Sequence, residues 1–253
     1  MSIKLIAVDM DGTFLSDAKT YNRPRFLAQY QRMREQNIRF VVASGNQYYQ
    51  LISFFPEIAH QIAFVAENGG WVVSGNEDVF NCQLPVHHFN AVVDHLQTLP
   101  NIEIIACGKR SAYTLNRYND ALKTVAAKYY HRLELVDDFN HLDDTILKFG
   151  LNVPDSLIPE IQPKLHAALG DMVTAVATGY GSIDLIIPGV HKANGLRILQ
   201  QRWGIEDHEV VAFGDSGNDI EMLQAVGIGV AMGNATEDVK AAADVICGDV
   251  TEE

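Results

Sequence analysis

The sequence predicts an α/β protein whose core is a doubly wound parallel sheet, with a smaller α+β unit inserted into that core. Near both ends of the chain, short runs of branched apolar residues alternate with helical patterns, as in strand–helix–strand units. In the middle of the chain this alternation changes to a mixed order of helices and strands. We therefore predict a core formed by residues 1–83 and 187–253 and an inserted domain formed by residues 84–186.

The N-terminal part of the core is predicted to alternate strands with helices and to end in a hairpin. Pro24 favours the start of a helix, and apolar residues at helical spacing follow it on one face. Gly75 and its neighbours supply the hairpin turn. The predicted elements are strands at 5–8, 38–43 and 62–66, helices from residue 24 and at 48–55, and a hairpin tip at 74–76.

The insert and the C-terminal part are predicted from the same periodicities. In the insert, the predicted helices are 89–99, 120–130 and 157–169, and the predicted strands are 102–106, 146–152, 172–177 and 183–187. The core then resumes with a helix at 192–203 and strands at 210–213, 227–231 and 244–247.

The most informative motif is Asp-Met-Asp-Gly-Thr, which begins at Asp9 and directly follows the apolar run Leu5–Val8. In open α/β sheets the reactive groups lie beyond the carboxyl ends of the strands, so this motif brings two carboxylates to a predicted active-site edge. Gly12 permits a sharp change of backbone direction after them. One carboxylate, Asp9, can then attack a substrate while the other, Asp11, handles a proton.

Three further strand ends carry side chains of complementary chemistry. Ser44 and Gly45 follow the second predicted strand, and Lys192 stands at a helix start after a Pro-Gly breaker. Residues 214–219 read Gly-Asp-Ser-Gly-Asn-Asp and follow another apolar run. Together these groups describe a phosphate site with a hard cation, because phosphate needs donors and positive charge and Mg²⁺ prefers oxygen ligands.

These four motifs, in this order, resemble the haloacid dehalogenase superfamily of phosphatases, and within it the sugar-phosphate phosphatases of the Cof-type branch. The resemblance extends over nearly the whole chain. It implies a Rossmann-like core with an inserted Cof-type cap of the C2 class. It also implies a Mg²⁺-dependent hydrolase that cleaves small phosphate monoesters, sugar phosphates above all, through an aspartyl-phosphate intermediate.

By this resemblance, Asp9 is the nucleophile, and Asp11 is the general acid for the leaving alkoxide and then the base for the attacking water. Lys192 would offset negative charge on the nucleophile and on the phosphoryl group. Mg²⁺ would be bound by Asp9, by the carbonyl of Asp11 and by Asp215, with Asp219 supporting the metal shell. The other residues assigned to phosphate binding are Met10, Ser44, Gly45 and Asn218.

Taken singly, these residues have simpler interpretations. An Asp at a strand end is often a turn former or a helix cap, Ser44-Gly45 alone is typical of a turn, and a lone Lys192 would be a solvated helix residue. The joint pattern overrides these interpretations, because four strand ends carry the groups that one reaction needs. Asn46 departs from the family pattern, in which Arg is frequent, so a substrate contact made by such an Arg is left open.

Two other functions use the same chemistry. A sugar phosphotransferase or a phosphomutase would use Asp9 identically but would pass the phosphoryl group to a second sugar hydroxyl. A receiver-like switch also phosphorylates an Asp beside Mg²⁺, although such units are about half this length and lack an acid two residues after the nucleophile. Release of free phosphate separates these alternatives from a phosphatase.

The short motif Gly179-Tyr180-Gly181 lacks the further glycine and the helix of a dinucleotide-binding loop. It is predicted to be a turn of the inserted domain. This turn, or its neighbour Ser182, is a candidate contact for the non-phosphate part of the substrate.

Composition restricts the compartment and the partners. Hydrophobic residues make up 47% and charged residues 20% of the chain, which is an ordinary globular balance, and no apolar run approaches the roughly 20 residues of a membrane span. The early first strand leaves no room for a signal peptide, and three scattered cysteines indicate reduced thiols. The net charge of −13 disfavours nucleic acid and anionic membranes. We expect a cytoplasmic monomer or weak homo-oligomer that binds a small phosphate ester.

Overall fold

The computed structural model describes residues 2–252, and within them fourteen strands form two sheets. The strands are β1 (Leu5–Val8), β2 (Arg39–Ala43), β3 (Ala63–Ala66), β4 (Trp71–Ser74), β5 (Glu77–Asn81), β6 (Glu103–Gly108), β7 (Ala112–Leu115), β8 (Leu133–Val136), β9 (Ile146–Asn152), β10 (Thr174–Gly179), β11 (Ser182–Ile186), β12 (Val210–Gly214), β13 (Ile228–Ala231) and β14 (Val245–Ile246). The helices are α1 (Arg23–Glu35), α2 (Tyr48–Ser53), α3 (Val86–Gln97), α4 (Asp120–Tyr129), α5 (Ile158–Leu169), α6 (Lys192–Trp203), α7 (Ile220–Ala225) and α8 (Glu237–Ala242).

The first sheet has the strand order β14-β13-β12-β1-β2-β3-β4-β5. Its first six strands in this order run parallel, and the hairpin of β4 and β5 adds two antiparallel strands at one edge. Strand β1 lies between β12 and β2, with Val8 beside both Phe213 and Val42. The carboxyl ends of these three strands therefore open on the same edge of the sheet.

Helices cover both faces of this sheet, as a doubly wound fold requires. On one face, α1 and α2 bury Phe26 and Leu51 against strand residues that include Val42. On the other face, α6 and α7 bury Leu196 and Met222 against the opposite side of the same strands. The side chain of Asn22 caps α1 by accepting a hydrogen bond from the backbone N–H of Arg25, which supplies one of the acceptors that a helix start lacks.

The second sheet has the order β10-β11-β9-β6-β7-β8 and is antiparallel except for the pair β7 and β8. Helices α3 and α5 pack on it, and their buried residues, such as Val92 and Leu165, share one hydrophobic core with Phe149 of β9. All six strands come from residues 103–186. The α+β unit is therefore inserted between strand β5 and helix α6 of the unit built on the first sheet.

The predicted fold class is confirmed: a doubly wound parallel sheet carries an inserted α+β unit. The division at residues 83/84 and 186/187 stays a prediction. Two strands, β7 and β8, were not predicted from the sequence. The second of them, Leu-Glu-Leu-Val, is a largely solvent-exposed edge strand, so it lacks the continuous apolar run that indicates a buried strand.

No helix within residues 2–252 has the length and apolar character needed to cross a bilayer. The three cysteines are free thiols. Burial raises the pKa of the Cys82 thiol to about 12 and that of Cys107 higher still, so these two thiols carry little of the reactive thiolate form.

Candidate active site

Polar residues from three neighbouring strands meet at the carboxyl edge of the first sheet. Asp9 follows β1, and its backbone N–H donates to the carbonyl of Phe213 on β12 at 3.0 Å. Asp215 follows β12 and accepts a hydrogen bond from the Thr13 hydroxyl at 3.0 Å. Ser44 follows β2 and is buried. The three strand ends thus bring together side chains that are far apart in the sequence.

Lys192, at the first turn of α6, bridges two of the carboxylates. Its Nζ lies 2.7 Å from Oδ1 of Asp9 and 2.6 Å from Oδ1 of Asp219, and all three side chains are buried. Although burial lowers the pKa of Lys192, the two carboxylates raise it above its ordinary value overall. Lys192 is therefore a fixed positive charge beside the predicted nucleophile.

The carboxylates outnumber this positive charge. Asp9, Asp215 and Asp219 each offer an oxygen, and these oxygens lie within 4.8 Å of one another. Burial, followed by the charge of Asp219, raises the pKa of Asp9 well above its usual range, even though Lys192 acts in the opposite direction. Burial also raises the pKa of Asp215. The cluster therefore favours an additional cation.

Two constraints keep this cluster compact. Asp219 accepts hydrogen bonds through Oδ2 from the backbone N–H groups of Asp215 and Ser216, at 3.0 and 3.1 Å. Gly12 has a φ of +78°, and a Cβ at this position would collide with the carboxylate of Asp215. The predicted change of direction after Asp11 is thus observed, and it is what allows Asp215 to approach β1.

Asp11 lies on the open side of the cluster. Its Oδ1 accepts a hydrogen bond from Lys19 at 2.8 Å, and its Oδ2 accepts one from the side chain of Asn46 at 2.7 Å. The two donors fix the direction in which the Asp11 oxygens point. Asn46, which departs from the family pattern, therefore contacts the predicted acid directly.

The turn after β2 presents Ser44. Its Oγ accepts a hydrogen bond from the backbone N–H of Asn46 at 3.0 Å, which leaves the hydroxyl hydrogen available to a ligand. Across the site, the amide of Asn218 donates to Oδ1 of Asn68 at 3.0 Å. One hydrogen of the Asn218 amide group is thereby used within the protein, and the other is available.

Met10 is the predicted phosphate-binding residue whose side chain is least suited to that role. This side chain is completely buried in the hydrophobic core below the site. The carbonyl of Met10 accepts backbone hydrogen bonds from Thr13, Phe14 and Leu15. Because this carbonyl is already bonded within the protein, any phosphate contact of Met10 would use its backbone N–H.

A cavity of about 560 Å³ lies over this edge, between the two sheets. Asp9, Asp11 and Ser44 line its floor, whereas Lys192, Asp215 and Asp219 do not border it. Its other wall comes from the inserted unit and includes apolar and aromatic side chains. These are Leu122, Val125, Tyr129 and Tyr180.

Lys19 connects the two walls of the cavity. Its Nζ lies 5.8 Å from the ring centre of Tyr129 and 5.4 Å from that of Tyr180, distances at which an ammonium is attracted to an aromatic face. Tyr180 stands in the predicted turn between β10 and β11, with a φ of +54° and a largely exposed ring. The candidate substrate-contact turn thus borders the cavity.

Apart from Met10, the predicted site residues all meet at the carboxyl edge of the first sheet. The structure adds four residues that were not predicted to act there. Lys19 and Asn46 contact Asp11, and Lys148 and Asp184 line the cavity from β9 and β11. The last two had a sequence signal, since each is the only charged residue of a largely apolar strand. Lys19 had none, because its loop resembles any polar turn.

Comparisons with known proteins extend over the whole chain. Residues 6–253 match the family described as haloacid dehalogenase-like hydrolase. Over 248 residues the chain is 69% identical to 5-amino-6-(5-phospho-D-ribitylamino)uracil phosphatase YbjI of Escherichia coli (strain K12), covering 98% of this chain and 92% of the relative. A Bacillus subtilis (strain 168) phosphatase with the same substrate in its name, YitU, is 28% identical, covering 93% of this chain and 88% of its own length.

Among solved structures, a protein from Streptococcus mutans UA159 has a TM-score of 0.94 to this chain at 33% identity, covering 98% of this chain and 94% of the other. The resemblance drawn from the four motifs is therefore confirmed. The chain belongs to the haloacid dehalogenase-like hydrolase family and is a phosphatase of that family.

Proposed function

We propose that the protein is a Mg²⁺-dependent phosphomonoesterase that works through an aspartyl-phosphate on Asp9. The observation that carries this proposal is the arrangement of Asp9 between Lys192 and Asp215, with Asp11 and Ser44 facing the same cavity. This set supplies a nucleophile, an acid–base group and phosphate donors. A simple structural ion pair would need only Asp9 and Lys192.

The donor set fits a Mg²⁺ ion. Three carboxylates face one ammonium, and Mg²⁺ prefers oxygen ligands of this kind. Asp9, Asp215 and the carbonyl of Asp11 would hold the ion, and Asp219, already bonded to Lys192 and to backbone amides, would support it. When bound, the ion supplies positive charge that offsets the repulsion between the carboxylate and a phosphate dianion.

The residues of the chain then carry out two steps. In the first, an oxygen of Asp9 attacks phosphorus, the ester P–O bond breaks, and protonated Asp11 gives its proton to the leaving oxygen. In the second, Asp11, now a carboxylate, takes a proton from water as the water oxygen attacks phosphorus. The P–O bond to Asp9 breaks, and inorganic phosphate and free Asp9 are released. The contacts from Lys19 and Asn46 hold the Asp11 carboxyl group in place for both steps.

The substrate that we propose is 5-amino-6-(5-phospho-D-ribitylamino)uracil or an ester of similar shape, on the basis of the 69% identical relative. Such an ester combines a terminal phosphate, a polyol chain and a flat heterocycle. The cavity offers polar groups at its floor and aromatic and aliphatic side chains on its outer wall, and pockets of several hundred Å³ suit ligands of this size. The broader expectation of a sugar phosphate is thereby narrowed to a sugar-alcohol phosphate.

A panel assay tests both parts of the proposal. Inorganic phosphate release would be measured from this ester, a pentose phosphate, a hexose phosphate and p-nitrophenyl phosphate, with Mg²⁺, with Ca²⁺ and in excess chelator. We expect the aminouracil ester to have the largest kcat/KM and activity to require Mg²⁺, with Ca²⁺ a poor substitute because its shell is larger and more flexible. Full activity in chelator would refute the metal role.

The same panel separates hydrolysis from transfer. A phosphotransferase or mutase would move the phosphoryl group to an added polyol, so that phosphate release falls as the polyol concentration rises. A phosphatase releases one phosphate for each ester consumed. We further propose a cytoplasmic location. We also propose that the protein has no nucleic-acid partner, which the net charge of −13 supports.

A further inference from the structure

A second buried charge cluster lies between the two sheets, next to the site but outside the steps described above. Lys148 on β9 and Asp184 on β11 are both buried, and Nζ of Lys148 lies 2.6 Å from Oδ2 of Asp184. Glu67, which follows β3, is also buried and lies 3.4 Å from the same ammonium. Burying three ionisable groups costs more free energy than their pairing normally returns, so stability alone is a weak explanation for this cluster.

One branch of the cluster leads to the phosphate-binding turn. Nζ of Lys148 donates a hydrogen bond of 2.6 Å to the carbonyl of Gly45. That carbonyl belongs to the same peptide unit as the N–H of Asn46, which donates to Oγ of Ser44 at 3.0 Å. The ammonium therefore fixes the plane of the peptide that orients the Ser44 hydroxyl, and a charged donor makes this a strong hydrogen bond.

The other branch leads to the opposite side of the phosphate site. The carboxylate of Asp184 accepts a hydrogen bond from the amide of Asn68, and Oδ1 of Asn68 accepts one from the amide of Asn218 at 3.0 Å. Asn68 has a φ of +54°, a left-handed conformation that costs free energy for a residue with a side chain. The contacts from Asp184 and Asn218 hold it there.

We propose that Lys148 and Asp184 are positioning residues, through which the inserted unit aligns Ser44 and Asn218 for phosphate binding. The proposal rests on the proposed function, in which Ser44, Gly45 and Asn218 bind the phosphoryl group. Both positioning residues lie on strands of the second sheet, whereas both targets lie in turns that follow strands of the first. The groups that donate to phosphate are therefore aligned only when the two sheets pack together. Preorganised donors of this kind stabilise the charge of a transition state.

Positioning by this pair has a distinctive signature. The aligned groups contact the phosphoryl group and not the leaving group, so their misalignment weakens binding of inorganic phosphate itself. The loss in kcat/KM is also expected to be the same for every ester. A purely structural pair would change the free energy of unfolding but leave the phosphate affinity of the folded enzyme unaltered.

The experiment compares Lys148→Met and Asp184→Asn with Lys109→Met. The control lysine also links the inserted unit to the first sheet, by a 3.0 Å hydrogen bond to Asn81, but it lies away from the phosphate turn. The inhibition constant of inorganic phosphate and the kcat/KM for p-nitrophenyl phosphate and for the aminouracil ester would be measured below the melting temperature of each variant. We expect both test variants to weaken phosphate inhibition about ten- to a hundredfold, with equal losses on both esters, and the control to match the wild type.

A folded Lys148→Met enzyme with unchanged phosphate inhibition would overturn the proposal. If that variant does not fold, Asp184→Asn decides by the same measurement, since it keeps the side-chain shape and leaves Glu67 to pair with Lys148. Inorganic phosphate and p-nitrophenyl phosphate report on the site whatever the physiological ester is. A wrong substrate assignment would appear in the wild-type panel and would not affect this result.

Discussion

Asp9 and Lys192 are 183 residues apart in the sequence, and their side chains meet at 2.7 Å in the buried floor of the site. The same ammonium contacts Asp219, so it cannot move away from Asp9 and Asp219 without leaving two buried carboxylates unpaired. The contact joins the helix that follows the insert to the first strand, and it holds the carboxylate of Asp9, the proposed nucleophile, in place.

Replacing this lysine should therefore affect both properties. Lys192→Met leaves Asp9 and Asp219 without their cation, and losing one partner of a buried ion pair typically costs about 3–5 kcal/mol in the free energy of unfolding. For any folded enzyme that remains, we expect kcat to fall by about 10²-fold or more, because a positive charge next to the transferring phosphoryl group is lost. Denaturant unfolding and phosphate release measure the two effects.

Lys4→Met is the matched control for this prediction. Lys4 is half-exposed and pairs with Glu209 at the opposite, amino end of the same sheet region, where solvent screening leaves such a pair a small contribution to stability. Wild-type activity in Lys192→Met would show that the ammonium is only a structural partner of the carboxylates.

The aromatic wall of the cavity gives a prediction about specificity. Tyr180→Ala removes a ring that borders the cavity and lies 5.4 Å from the ammonium of Lys19. We expect KM for the aminouracil ester to rise by about tenfold, since stacking on an aromatic ring contributes about 1–3 kcal/mol per base, whereas kcat/KM for p-nitrophenyl phosphate should change much less.

Leu135→Ala, at the exposed edge strand β8, serves as the control for a change elsewhere in the inserted unit. An equal loss on both esters in Tyr180→Ala would argue that the ring supports the general structure of the site and does not recognise the heterocycle.

The sequence predicted that these groups share one edge of the sheet, because each of them follows a strand. Asp9, Ser44 and Asp215 all stand directly after buried apolar runs, and parallel strands deliver their carboxyl ends to one side. The order of motifs then identified the family. No contact had to be known to make this prediction, because topology alone brings these residues together.

Two of the four residues that were missed, Lys148 and Asp184, depend on packing between the two sheets. Lys148 donates to Gly45 and Asp184 accepts from Asn68, and in each pair one partner is on a strand of the second sheet and the other in a segment that follows a strand of the first. Periodicity predicts that a strand exists but not which residue of a distant strand its side chain will face. A single charged residue within a largely apolar strand indicates such a position, but it does not show which residue the side chain contacts.

Glu67 provides a prediction about pH. Burial, partly opposed by Lys148 and reinforced by Asp184, raises the pKa of Glu67 from 4.5 to about 7. Between these two values the folded protein holds a proton that the unfolded chain has released, so the free energy of unfolding falls as pH rises through this window. The Glu67→Gln variant lacks this titration, so its free energy of unfolding should not show this fall with rising pH.

The measurement is denaturant unfolding of the wild type and Glu67→Gln at pH 5 and pH 8. We expect the wild type to lose on the order of 2 kcal/mol relative to the variant between these pH values. Glu35→Gln, at the exposed end of α1, controls for the loss of one negative charge. A difference that does not change with pH would contradict the predicted protonation of Glu67.

The last prediction separates the two carboxylates of the first motif. Asp9→Asn removes the nucleophile, so neither phosphoenzyme nor product should form. Asp11→Asn keeps the nucleophile but loses proton transfer, which contributes about 10²–10⁴ in rate. It also places an amide group between the donors Lys19 and Asn46. The single amide oxygen can accept fully from only one of these two donors.

The loss in Asp11→Asn should depend on the leaving group. With p-nitrophenyl phosphate the departing phenolate needs little protonation, so the first step should remain fast while the second, which needs a base to activate water, stays slow. Aspartyl-phosphate should then accumulate on Asp9. Rapid acid quenching and mass measurement of the intact protein would detect the added phosphoryl group, and peptide mapping would place it. If Asp9→Asn also acquires the adduct, the nucleophile is another residue.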